Sequence, residues 1–267
     1  MLTIQVLLVV FIMALMVTAS GFRNTIWFVT IGYTFAILAM ALALGISFYK
    51  RFTWFNWIQV SGLALWGIRL GAYILQRDKN RDYQNNVQDQ VQAAQKLPLF
   101  AKFFMWIAVS FLFTCLFSPA IFSLKDTISL KLSGSPYIIL GCLLLLLGIY
   151  IESRADWEKS RFKAYQPGTF VDVGLFRWVR YPNYLGELMV WTGNYLLSIQ
   201  FYQATWQWAI ATTGLIGIWI IMIDATRRLE KRHWSKYRDV PGYKTYVEKV
   251  PILFPYLPFY SFIKRKP

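Results

Sequence analysis

The sequence predicts an all-α polytopic membrane protein with about seven transmembrane helices. Three observations lead there. Only 15% of the 267 residues are charged while 57% are hydrophobic, against about 25% charged in an ordinary soluble domain. Apolar runs of span length recur along the chain, separated by short basic segments. The basic residues are also distributed unevenly between alternate segments, as topology signals are.

Taken in order, the runs place spans at about 2–20, 25–48, 54–75, 103–123, 135–152, 184–200 and 206–224, in a single membrane domain followed by a tail, 225–267. Each is near the ~20 residues that a helix needs to cross the hydrocarbon core. With the N-terminus outside, the cytoplasmic segments and tail hold 23 Lys and Arg and the outer segments 4, Lys50, Arg51, Lys125 and Lys131. That asymmetry predicts an N-out, C-in orientation. The polar stretch Gln76–Lys96 reads as a cytoplasmic loop or surface helix. The mixture of Arg, Lys, Trp and Tyr from Arg227 to Tyr246 reads as an amphipathic surface helix ended by Pro241-Gly242.

Composition also narrows the function classes. The formal charge of +15 lies between spans rather than on one soluble face. It therefore points to topology and anionic membrane lipids, not nucleic acid, although a phosphate-bearing ligand could share the same cations. Cys115 and Cys142 sit inside apolar runs and read as small buried hydrophobes. A single histidine, His233, leaves no basis for a metal site. The first 20 residues have small side chains near Ala19 but no preceding Lys or Arg, so a retained first span is expected over a cleaved signal.

Ionisable groups in or beside spans are costly and mark candidate sites. Arg69 lies inside the third span, with Tyr73 and Arg77 following at four-residue spacing. It either snorkels or pairs with an acid, or it meets a bound ligand. Glu152, Asp156, Lys159 and Lys163 share one helical face at the end of the fifth span. They form a self-satisfied ladder, or the two carboxylates accept hydrogen bonds from ribose or carboxamide groups. In Gly174–Glu187, Pro182 suits a first helical turn, and Arg177 and Arg180 just before it would make an anion site with the helix N-terminus. Asn183, Glu187, Trp191, Asn194 and Ser198 recur at helical spacing as a polar stripe. In the tail, Asp224, Arg227, Arg228, Glu230, His233, Tyr237, Tyr243 and Tyr246 either close over a nucleotide or anchor at headgroups. Dinucleotide-binding glycine fingerprints, phosphate loops and HExxH are absent from the sequence.

Gly174–Glu187 with its RYPNYLGE core, Trp191, Glu230-Lys231, and Pro241-Gly242-Tyr243 with Tyr246 together resemble the DUF1295 group. That group is similar to steroid 5-alpha-reductases and sterol reductases, and more distantly to isoprenylcysteine carboxyl methyltransferases. The likeness runs over about 148–256, with a weaker part over about 62–83 around Trp66–Leu70. It implies a helical membrane fold in a bacterial cytoplasmic membrane, with a pocket for NADPH opening to the cytoplasm and a hydrophobic small-molecule or lipid substrate. The resemblance carries Arg69, Tyr73, Glu152, Asp156, Asn183, Glu187 and the segment from Arg227 over to the cofactor site. With the residues' own chemistry added, the expected cofactor-binding set is Arg69, Glu152, Asp156, Lys163, Arg177, Arg180, Asn183, Glu187, Arg227, Arg228, His233, Tyr237 and Tyr243, and Tyr73, Tyr184 and Glu187 are the candidates for the chemistry. It implies hydride transfer to a conjugated C=C bond in a steroid- or isoprenoid-like carbonyl compound. Two positions depart from the reductases: Trp66 stands where they carry a tyrosine, and residues 25–48 contain no acid. Indole is no general acid, which leaves the proton to Tyr73, Tyr184 or Tyr195. A methyltransferase using S-adenosylmethionine and a non-catalytic lipid-binding protein are the rival expectations.

Overall fold

The computed structural model describes residues 2–79, 84, 88, 91–124 and 135–262. Helices dominate them, and there is no strand among the described residues. The helices are α1 (Leu2–Thr18), α2 (Ile31–Phe48), α3 (Trp54–Asp78), α4 (Leu99–Phe122), α5 (Pro136–Tyr165), α6 (Pro182–Ser198), α7 (Thr205–Tyr237) and α8 (Tyr243–Lys249). Several starts follow from local chemistry. α5 and α6 open on Pro136 and Pro182, where a missing N–H costs nothing and φ is already helical. α3 opens on a capping box formed by Thr53 and Asn56.

Among the described residues, six helical segments contain a stretch long and apolar enough to cross a membrane: Thr3–Phe22, Thr25–Arg51, Trp54–Asp78, Leu99–Phe122, Pro136–Tyr165 and Thr205–Tyr237. The chain is therefore an all-α, polytopic integral membrane protein. The remaining expected span, 184–200, corresponds to α6. At 17 residues α6 is roughly 26 Å long, short of the ~30 Å hydrocarbon core, and it carries Asn183, Glu187 and Asn194. The tail also differs from expectation. Arg227 and its neighbours do not begin a separate surface helix, because α7 runs unbroken from Thr205 to Tyr237. The break comes at 238–242, where Gly242 adopts φ 82°, and α8 follows. Part of the Gln76–Lys96 stretch, and Lys125 and Lys131, lie outside the described residues.

The chain divides into two compact units. The first comprises residues 1–143 and 193–216. In it α1 packs on α4 and α2, and α2 packs on α3. Thr18 Oγ1 and Ser110 Oγ meet at 2.8 Å between α1 and α4, and Trp106 Nε1 donates to Leu15 O at 2.9 Å. Tyr33 stacks on Phe113 and meets Trp66 edge-on, with centroids 4.8 and 5.0 Å apart. Trp66 is fully buried in this aromatic cluster. Asparagine and glutamine inside a span need partners, since lipid supplies none. Gln59 Nε2 donates to Asn194 Oδ1 at 2.8 Å and to Ser198 Oγ at 3.0 Å. Ser123 Oγ donates to Gln59 Oε1 at 3.0 Å, Asn56 Nδ2 to Ser123 Oγ at 2.9 Å, and Asn194 Nδ2 to Leu116 O at 2.9 Å. This network ties α3 and α4 to the end of α6.

The second unit comprises residues 144–192 and 217–267. Here α5 and α6 approach closely. A Cβ on Gly148 would lie 2.6 Å from Gly186 O and 2.7 Å from Val190 N, and one on Gly186 2.7 Å from both Glu152 N and Gly148 O. The glycine of the RYPNYLGE segment is thus a packing residue: any side chain there would push α6 off α5. The apolar stretch of α5 ends at Ile151 and that of α7 at Ile223, and both helices continue as charged extensions. Within the unit Trp219 Nε1 donates to Thr192 Oγ1 at 3.3 Å and stacks on Phe254.

Gln59→Leu is expected to lower stability by about 1–3 kcal/mol, the usual loss when buried polar partners are left unpaired. Thermal unfolding of the purified protein in nanodiscs checks this; an unchanged midpoint would show that the network adds nothing to stability.

Candidate functional site: a basic, aromatic cavity

The second unit contains a small cavity where the α5 and α7 extensions, α8 and the segment before α6 converge. Its volume is about 40 Å³, and its lining includes Lys159, Lys163, Phe176, Arg180, Tyr181, Asn183, Leu229, His233, Tyr237, Tyr243 and Tyr246. The lining holds three cations and no carboxylate.

Each wall has a local cause. Lys159 and Lys163 are one turn apart on α5 and so share a face. Lys163 Nζ donates to Tyr237 OH at 2.9 Å, to Pro167 O at 3.5 Å and to Thr169 O, and sits 4.9 Å from the Tyr237 ring centroid. The aromatic wall forms because α8 folds back on the loop after α5. Phe170 lies 5.0 Å from both Tyr243 and Tyr246, and Tyr246 OH donates to Phe176 O at 2.8 Å. Tyr243 and Val247 are buried with Tyr237 in the same cluster. At the start of α6, Tyr181 stacks on Tyr184 and on His233, with centroids 6.0 and 5.8 Å apart and ring planes within 22°.

Arg180 is held most tightly. Its backbone N donates to Pro251 O at 2.9 Å, and Tyr181 N donates to Ile252 O at 3.1 Å. Its Nη2 reaches Glu230 Oε1 at 3.3 Å and donates to Tyr260 O. Glu230 also accepts from Ser261 Oγ at 2.9 Å and Phe262 N at 3.0 Å. Arg180 Nε and Nη1 are buried and have no acceptor among the described residues. A buried, charged donor left this way costs free energy unless an anion meets it.

The electrostatics follow from burial and crowding. In the α5 extension, desolvation and the nearby Lys236 and Lys159 lower Lys163 to about 8. In the α7 extension, desolvation first, and then Lys159, Lys163, Arg232 and Arg180, push His233 down to about 3. The imidazole is therefore neutral at ordinary pH. Its Nδ1 lies 3.4 Å from Tyr181 OH, a long hydrogen bond. Burial raises Tyr181 well above the usual phenol range and raises Tyr246 likewise. The site is thus a set of protonated phenols around two lysines and an arginine.

The structure divides the residues singled out from sequence. Lys163, Arg180, Asn183, His233, Tyr237 and Tyr243 line the cavity together. Tyr184 stands behind Tyr181. Glu152, Asp156 and Glu187 are buried in the same unit but do not line it. Arg177 and Arg227 are exposed, with Arg227 over the Phe262 ring, and Arg228 pairs with Asp224 on its own helix. Arg69 and Tyr73 belong to α3 in the first unit. Tyr195, also in the first unit, shares a 3.0 Å hydrogen bond with Thr212. The polar stripe splits as well, since Asn194 and Ser198 are bound into the Gln59 network. The sequence reading left out Tyr181, Phe170 and Phe176. Tyr181 and Phe176 lay within the Gly174–Glu187 segment without being given a role, Phe176 in a short 3-10 turn, Gly174–Arg177; Phe170 sits in a loop without periodicity. Among the described residues no group of three His, Cys, Asp or Glu side chains is placed to hold a metal.

These features define an integral membrane protein with a basic, aromatic cavity beside its helix ends. The chain belongs to the DUF1295 family, described as proteins of unknown function, whose profile matches residues 10–250. It is also similar to an uncharacterised protein of Schizosaccharomyces pombe, 38% identical over 89 residues. That match covers 33% of this chain and 24% of the yeast protein, so the chain spans about a quarter of the length of that curated relative. No solved structure matches.

Anion binding at this cavity is expected to weaken as pH rises through about 8, because Lys163 is protonated below that value and neutral above it. Calorimetric titration with inorganic pyrophosphate on either side of that pH checks it. In Lys163→Met the pH step should vanish, with binding on both sides near the weaker level that the unaltered protein shows above that pH.

Proposed function

We propose that this protein is an NADPH-dependent membrane reductase of a conjugated C=C bond in a hydrophobic carbonyl compound. The observation that carries the reading is Arg180: it is buried, it borders the cavity, and two of its nitrogens, Nε and Nη1, have no acceptor among the described residues. With Lys159 and Lys163 beside it, the donor set suits a phosphate, and the tyrosine and phenylalanine rings suit the flat groups of a nucleotide. The cavity's volume, about 40 Å³, admits a phosphate-sized group rather than a whole dinucleotide. The phosphate is therefore the part that these residues would hold.

Bound there, the nicotinamide would supply a hydride to the β-carbon of the conjugated carbonyl. Arg180, Lys159 and Lys163 neutralise phosphate charge, and Asn183 offers an amide for a further hydrogen bond. Tyr184, stacked on Tyr181, holds a phenolic proton that can pass to the α-carbon, and the buried Glu187 lies one turn after Asn183 on α6. Trp66, buried against Tyr33, cannot donate a proton as a tyrosine would. The resemblance of Gly174–Glu187 to the steroid and sterol reductases supports this assignment. The split of 23 basic residues to 4 supports an N-out, C-in orientation with the cavity on the cytoplasmic side. The same resemblance suggests a bacterial cytoplasmic membrane.

S-adenosylmethionine suits the cavity less well. It carries a sulfonium cation and no phosphate, whereas the lining carries three cations and no acid.

Binding of NADPH, NADH and S-adenosylmethionine to the purified protein, followed by calorimetry and tryptophan quenching, tests the proposal. NADPH should bind, and Lys163→Gln, Asn183→Ala and Arg180→Gln should each weaken it, the charged residues by about tenfold or more. Turnover is then sought with enone lipids by loss of NADPH absorbance. Failure of both nicotinamide cofactors to bind at concentrations near millimolar would sink the reading. Binding of S-adenosylmethionine alone would move the protein to the methyltransferases.

A further inference from the structure

The face of α5 opposite Glu152 and Asp156 forms a continuous exposed stripe. Leu147, Tyr150, Arg154, Trp157 and Arg161 follow one another at spacings of three and four, so they line one side of the helix. All are exposed, Leu147 and Trp157 by 48% and Tyr150 by 63%. The stripe changes character along its length. Leu147 and Tyr150 belong to the apolar span, which ends at Ile151, and Arg154 begins the charged extension three residues later. Arg154 lies 4.5 Å and Arg161 5.2 Å from the Trp157 ring centroid, so the indole is flanked by two guanidinium groups. A groove runs past them, lined also by Glu158, Phe162, Tyr165 and Gly174.

The charge of this groove is not balanced. Its acid, Glu158, accepts from Arg154 Nε at 2.8 Å and from Leu175 N at 2.8 Å, and is itself buried. That leaves Arg161 with a ring contact and no acid partner among the described residues. An exposed arginine and indole immediately beyond a lipid-facing apolar stretch lie at the depth of lipid headgroups, where amphipathic rings collect. Guanidinium groups match phosphate geometry with paired donors.

We infer that the Arg154–Trp157–Arg161 face is a binding site for an anionic phospholipid. The phosphodiester would lie against the two guanidinium groups, and one acyl chain would run along Tyr150 and Leu147. The two-part stripe selects a lipid over a soluble anion, because half of it has no use for a free phosphate. The excess positive charge selects an anionic headgroup over a zwitterionic one. This site lies on a different face of α5 from Lys159 and Lys163 and does not depend on the cofactor reading.

Native mass spectrometry of the detergent-purified full chain, titrated with phosphatidylglycerol or phosphatidylcholine, tests the inference. Phosphatidylglycerol should be retained preferentially, and excess inorganic phosphate should not displace it. Arg161→Gln and Trp157→Leu should each lower its affinity by about tenfold, while Lys249→Gln, an exposed charge on α8, should leave it unchanged. Because Arg154→Gln also disturbs Glu158, Arg161→Gln is the cleaner variant, with its unfolding midpoint measured alongside. Equal retention of both lipids, a preference that survives Arg161→Gln and Trp157→Leu, or displacement by inorganic phosphate would overturn it. So would an equal loss in Lys249→Gln, which would reduce the effect to general surface charge.

Discussion

The second unit depends on one buried ion pair. Arg180 and Glu230 are almost wholly out of solvent, where two charges cost several kcal/mol each unless they are paired and hydrogen-bonded. Glu230 meets that condition with Arg180, Ser261 and Phe262, and in doing so fixes the C-terminal segment. Arg180 meets it only in part. Nη2 is used twice while Nε and Nη1 are left over. The same interaction that orders the tail therefore holds a half-satisfied guanidinium against the cavity. This asymmetry is the strongest pointer to an anionic ligand, because a purely structural arginine would have both sides of its fork met.

α5 shows how one helix serves two environments. Glu152 and Asp156 face inward and are buried, and the same face continues into Lys159 and Lys163 at the cavity. The opposite face meets the surroundings through Leu147, Tyr150 and Trp157. Gly148, facing α6, allows α6 to lie close enough for both arrangements, since a side chain there would strike Gly186 O and Val190 N. Crowded cations have a further consequence. Lys163 and His233 are both pushed down by their neighbours as well as by burial, which leaves His233 neutral beside protonated phenols. An anion bound there would relieve that crowding, and so would couple ligand charge to the protonation of Lys163.

Much of the fold was legible because lipid enforces simple rules. Span-length apolar runs marked the long helices, and Pro182 marked the start of α6 as its missing N–H requires. The continuation of α7 to Tyr237 was not legible. The switch from apolar to charged at Asp224 resembles a helix boundary in composition, but no breaker stands there and backbone hydrogen bonding simply continues. The site was readable where its residues share one helix, as with Lys159 and Lys163, or one short segment, as with Arg180 and Asn183. It was not readable where α8 meets Phe170, because nothing local in that loop encodes its partner.

The polar stripe of α6 shows why spacing alone cannot assign roles. Asn183, Glu187, Asn194 and Ser198 recur at helical intervals, and periodicity treats them alike. Their partners do not. Asn194 and Ser198 have their hydrogen bonds met by Gln59 and Leu116 inside the first unit, so they answer the demand that lipid places on any buried amide or hydroxyl. Asn183 is only half-buried and borders the cavity, with Arg180 three residues before it. A polar side chain kept beside a charged, partly unsatisfied neighbour has a reason to exist beyond packing. The two ends of a 17-residue helix thus do different work: one secures the membrane fold, and the other presents hydrogen-bonding groups to whatever the cavity receives.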